Sequence, residues 1–169
     1  MKAFVLFIVL AMSACSRKQN SAAPASPSNA PSQASGTAAP SLAKGGTLPE
    51  RLSRESNSRP VAALRAEDVF AAIVKNGVQM KQRTQYLGSP VGAAYCQSAM
   101  TTNDVSLTVC EFDSDPAAAK GQQTASTTIA VPNREILVHH ATTLAIIQSP
   151  KSEASSKAAA AAAAAFNSL

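Results

Sequence analysis

The sequence predicts an α+β domain over residues 61–169, with elements in the order αββαββα and one antiparallel sheet covered by helices on one face. Three observations carry this. Val105, Leu107 and Val109 alternate with Ser106, Thr108 and Cys110, the period of a half-buried strand. Val69, Phe70, Ile73 and Val74 recur at the spacing of one helix face. Asp115-Pro116 and Ser149-Pro150 each read as an N-cap followed by proline at the first helical position.

The first helix is expected over residues 64–77. Glu67 and Asp68 in its first turn and Lys75 near its end suit the helix dipole, and Asn76-Gly77 is a stop signal. Residues 79–92 read as an irregular connection. A hairpin follows, with strands over 93–100 and 105–112 around Thr101-Thr102-Asn103-Asp104. Symmetric pairing about Asn103 sets Cys96 opposite Cys110, Ser98 opposite Thr108 and Met100 opposite Ser106, and puts Ala99, Leu107 and Val109 on the other, apolar face. A short helix over 117–124, weakened by Gly121, leads to a second hairpin over 134–139 and 143–148. With its turn centred on Ala141, Ile136, Val138, Leu144 and Ile146 share one face. A last helix spans 151 to about 166 and contains eight consecutive alanines, which have the highest helix propensity. This element order is a circular permutation of the ferredoxin-like order.

Composition bounds the function. The chain has 169 residues, and 35 of them are Ala, whereas Leu, Ile, Val and Phe together number 33. So thin an aliphatic supply excludes a large enzyme, a multi-span membrane protein and a nucleotide-binding α/β domain with long hydrophobic strands. The net charge of +5 is not a nucleic-acid signal. Residues 16–60 carry +4 of it and residues 61–169 are neutral, with no basic patch interleaved with aromatic residues.

The N-terminus reads as an export signal. Lys2 is followed by the nine apolar residues 3–11, a run shorter than the roughly 20 residues a helix needs to span a bilayer. It ends in Met12-Ser13-Ala14-Cys15. This resembles the lipobox of bacterial lipoproteins, in which small residues precede a cysteine that is lipidated and becomes the mature N-terminus. Met12 stands where that family most often has Leu. The resemblance implies a signal peptide over 1–14, acylation of Cys15, and a bacterial cell-envelope location with the membrane as a partner through the lipid. In a diderm cell, Ser16 resembles the outer-membrane sorting class, facing the periplasm. Ordinary signal cleavage after Ser13 is the alternative. Residues 15–60, with six of the ten prolines, read as the lipidated cysteine and a disordered Ser/Ala/Pro-rich tether. A chain starting near Pro60 is then expected to fold alone. The stretch Val105–Ala119, "VSLTVCEFDSDPAAA", resembles the strand-to-helix passage of small, largely uncharacterised bacterial lipoproteins of this architecture, which supports the fold rather than an activity.

Candidate chemistry is sparse. With Cys15 lipidated, Cys96 and Cys110 remain as a matched pair, and a cross-strand disulfide suits an exported domain better than a redox site without the C-x-x-C pattern. His139 and His140 are adjacent, so in a regular strand they point to opposite faces and do not share a metal. Glu111, Asp113 and Asp115 cluster at a helix start, where caps and dipole partners explain acidic residues. No nucleophile elbow, P-loop or His-Glu-x-x-His motif is present. The expectation is therefore a non-enzymatic envelope lipoprotein without metal or cofactor. It would bind or support another envelope protein, with Ser98, Ser106 and Thr108 on the contact face and no nucleic-acid partner. A small periplasmic ligand-binding or inhibitor domain is the alternative, and an enzyme the third.

Overall fold

A computed structural model describes residues 45–128 and 130–169. The expected signal peptide, Cys15 and the tether up to residue 44 lie outside these residues. The protein is α+β, and its described residues build one antiparallel five-stranded sheet with four α-helices. In chain order these are α1 (Leu48–Asn57), α2 (Ala66–Lys75), β1 (Met80–Tyr86), β2 (Tyr95–Thr101), β3 (Val105–Glu111), α3 (Asp115–Thr128), β4 (Arg134–His139), β5 (Thr142–Gln148) and α4 (Glu153–Asn167). The spatial order of the strands is β1-β2-β3-β5-β4.

Two elements extend the expected αββαββα order. The first is β1, which falls in the stretch read as an irregular connection. Its sequence, MKQRTQY, has no apolar alternation because it is an edge strand with most residues exposed. Lys81, Arg83 and a bulge between Met80 and Arg83 break its outer rim, which hinders pairing with a further strand. The second is α1, which corrects the reading of residues 15–60 as tether throughout. The Thr47 amide donates to Glu50 Oε2 at 2.8 Å, closing the N-terminal turn in the pattern of a capping box. This hydrogen bond holds the Glu50 carboxyl below its ordinary pKa.

The β2–β3 hairpin has the expected register, with Cys96 opposite Cys110, Ser98 opposite Thr108 and Ala99 opposite Leu107. The β4–β5 hairpin is displaced by one residue. Its turn is the pair His140-Ala141, both at positive φ, so Leu137 pairs with Leu144 and His139 with Thr142. A shift of one residue exchanges the faces of a strand. Leu137 therefore joins the main core, while Ile136 and Val138 turn to the face that carries the cysteines.

That exchange bears on the helix arrangement. The main core lies between the Val105, Leu107, Val109, Leu144 and Ile146 face of the sheet and helices α2 and α4. Val69, Phe70 and Ile73 enter it from α2, and Ala158, Ala159, Ala162, Ala165 and Phe166 from α4, so the alanine run lies close against the sheet. On the opposite face Cys96, Cys110, Phe112 and Val138 form a second apolar cluster, and α3 covers it through Ala117 and Ala118. The helices thus do not all share one face. α3 crosses over because the second cluster needs cover.

Cap assignments shift accordingly. Asp115 does not cap α3. Ser114 takes that place, its carbonyl accepting from the Ala118 amide and its Oγ from the Ala117 amide. The Asp115 carboxylate reaches across to the Ala141 amide at 2.6 Å, pinning the β4–β5 turn to α3. α4 begins after Ser152, not after Ser149. Ser152 and Ser155 each accept from the other's amide.

Gly121 is a close-packing residue rather than a weak point. It is buried on α3, and a β-carbon there would overlap the edge of the Phe112 ring and stand 3.2 Å from the Val91 carbonyl. Gly121→Ala would gain up to about 1 kcal/mol of helix propensity. The steric conflict costs about 1–3 kcal/mol and outweighs it. Denaturant unfolding is expected to show a net loss of about 1 kcal/mol.

Candidate functional site

The sheet face that carries the disulfide is covered unevenly. At one end Cys96 and Cys110 are bonded, with Cα atoms 4.1 Å apart, and both are buried beneath α3 and Phe112. The same face continues through β1, β2 and β3 to the side of α3, which lies along the length of β4. There Tyr86 is 54% exposed and Met100 40% exposed. Ser98, Ser106 and Thr108 lie half-buried between them. Ser98 Oγ and Thr108 Oγ1 are 2.6 Å apart and hydrogen-bonded across the strands, so these hydroxyls are partly engaged with each other. The arrangement brings together the three residues expected on a contact face and adds Tyr86 and Met100 as apolar flanks.

A second constellation lies on the core face, and the sequence reading missed it. Glu111 continues the inward phase of Val105, Leu107 and Val109, so β3 places a carboxylate in the interior, fully buried. Arg59, from the segment expected to be tether, answers it. Its Nε donates to Glu111 Oε2 at 3.0 Å, and its Nη2 donates to Glu111 Oε1. The same guanidinium pairs bidentately with Glu67 and lies 4.1 Å over the Tyr95 ring. Glu111 also accepts from the Ala66 amide at 2.8 Å, so it caps α2, and Arg65 stands 3.5 Å away. Hydrogen bonding to Glu111 leads the upward shift of the Arg59 pKa. The Arg59 hydrogen bond holds the Glu67 carboxyl below its ordinary range, against the opposing effect of burial. Desolvation raises the Tyr95 hydroxyl. The signal for this site was a charged residue in the buried phase of a strand, a placement that requires a partner.

A third polar junction fastens α1. The buried Glu55 carboxylate accepts from the amides of Gly88 and Ser89 at 2.8 and 3.3 Å. Gly88 is required there, because a β-carbon would come 2.7 Å from the Ala93 carbonyl oxygen.

The remaining candidates diverge. Glu111 points inward, Asp115 holds the Ala141 amide, and Asp113 is exposed, so the acidic run does not converge. The His139 and His140 rings lie 4.0 Å apart across the strand-to-turn boundary, with Phe166 edge-on to His139 at 6.0 Å. Among the described residues no group of three or more His, Cys, Asp or Glu side chains is placed to hold a metal ion. A groove of about 570 Å³ runs between α2 and β1, floored by Phe70, Val74 and Met80 and rimmed by Lys81 and Arg83. Among the described residues no helix is long and apolar enough to cross a membrane. No protein-family model matches the chain, and neither a curated protein nor a solved structure is significantly similar to it.

Proposed function

We propose that this chain is a lipid-anchored protein of the bacterial cell envelope whose folded unit binds another envelope protein through the open part of the disulfide-bearing sheet face. The anchor is Cys15, and the membrane is the partner through its acyl chains. Several chains on one cysteine make departure from a bilayer negligible, where a single chain binds reversibly. If the cell has two membranes, the lipid sits in the outer one and the domain faces the periplasm.

The observation that carries the binding role is the uneven cover of the sheet. α2 and α4 close one face and α3 covers the β4–β5 side of the other, while Tyr86 and Met100 remain exposed beside Ser98, Ser106 and Thr108. Apolar side chains flanking paired hydroxyls on a rigid strand surface suit a protein contact, because aromatic and Met side chains are enriched in such contacts. The α2–β1 groove supports the second reading, a small ligand-binding or inhibitor domain, because a cleft of this size accommodates a small molecule.

Photo-crosslinking in intact envelopes separates the two. A photoreactive residue at Met100 is expected to give discrete protein adducts, whereas one at the exposed Ala160 of α4 gives none. Adducts of equal yield at both positions, or none at Met100, would contradict the contact face and favour the groove.

A further inference from the structure

Two grips hold the N-terminal part of the described chain, and they differ in kind. α1 is fastened almost entirely by hydrogen bonds. Glu55 sits on the Gly88 and Ser89 amides, Gln85 Nε2 donates to the Leu52 carbonyl at 2.8 Å, Ser56 Oγ donates to Gln85 Oε1 at 2.9 Å, and Arg51 reaches Ser89 Oγ at 3.2 Å. Glu55 is the only residue of α1 that is buried, and Leu48 is 58% exposed. α2 by contrast buries Val69, Phe70 and Ile73 in the main core. Two residues beyond the end of α1 comes Arg59, locked between the fully buried Glu111, Glu67 and the Tyr95 ring.

A helix with little buried apolar area, held by groups that water can replace, belongs to the low-stability end of a structure. A buried carboxylate stripped of its cation is strongly unfavourable. We infer that residues 47–58 form a strap that opens as a separate unit while the fold stays intact, and that Arg59 is the stop at which this opening ends. Tension on the chain before Thr47 is then taken up in α1 instead of being passed to α2 and the sheet. Releasing the ten residues of α1 lengthens the connection by about 20 Å, from a rise of 1.5 Å per residue to about 3.4 Å. The use of this extension as a spacer above a membrane rests on the anchored reading of Cys15. The order of opening does not, so its test stands apart from that reading.

The test is hydrogen exchange read by mass spectrometry on the full chain in detergent micelles. Amides of α1 are expected to exchange at least a hundredfold faster than those of α2. Glu55→Ala should speed α1 by about a further tenfold and leave α2 unchanged, whereas Arg59→Gln should speed α2 at least tenfold. Equal exchange of α1 and α2 in the unaltered chain would overturn the strap. An Arg59→Gln variant in which α2 exchanges as before would overturn the stop.

Discussion

Arg59→Met is expected to lower the stability of the domain by about 3 kcal/mol, a large part of the roughly 5–15 kcal/mol that holds a typical domain together. The reason is what the substitution leaves behind. Glu111 is fully buried, and without the guanidinium it keeps only the Ala66 amide and the more distant, half-exposed Arg65. Breaking one side of a buried pair typically costs about 3–5 kcal/mol, and the two remaining partners place this case at the lower end. Removing both charges should behave differently. In Arg59→Met with Glu111→Leu, most of the loss is expected to return, short of the capping bond to Ala66. Denaturant unfolding of the two single variants and the double variant measures the coupling. An additive cycle would show that the pair does not act as one unit. The same reasoning moves the domain boundary. A chain starting at Val61 lacks Arg59, so it is expected to unfold at least as easily as Arg59→Met.

The Cys96–Cys110 bond is expected to contribute about 3 kcal/mol in the chain-entropy account for a loop of this size, and less if the hairpin persists in the unfolded chain. Cys96→Ala with Cys110→Ala should lower the melting temperature by about 10 °C for a domain of this length. The cysteines are 2% and 7% exposed, beneath α3. Reductant should therefore act slowly on the folded protein and quickly once denaturant is added. Thiol counting on denatured, unreduced protein from the envelope should find neither cysteine free. Rapid reduction of the native protein with no change in melting temperature would point to a reactive pair instead of a structural one.

The parts of this structure that the sequence made legible are those where one pattern decides. The β2–β3 register followed from the symmetry of two cysteines about Asn103 and from the strict alternation of Val105, Leu107 and Val109. The second hairpin lacked such a marker. Its two-residue turn is His140-Ala141, and neither residue is the Asn or Gly that normally announces positive φ. The register slipped by one as a result, and with it the cover provided by α3. β1 was silent because an exposed edge strand needs no apolar face. α1 did carry a signal, Thr47-x-x-Glu50 with a proline between them, but the Ser- and Pro-rich composition around it outweighed four residues. Arg59 illustrates a more general limit. A charge in a low-complexity stretch reads as solvated, and only the buried Glu111 some fifty residues later gives it a place.

The proposed function requires that the chain be held at a membrane through Cys15, with a folded unit that presents its open sheet face beyond. Mass spectrometry of the N-terminal tryptic peptide from the membrane fraction tests this most directly. The expected product is Cys15-Ser16-Arg17 carrying acyl chains on the cysteine, and Cys15→Ser should abolish it and leave unprocessed or soluble protein. A peptide beginning at Ala14 with an unmodified Cys15, in protein that needs no detergent for release, would contradict the anchor.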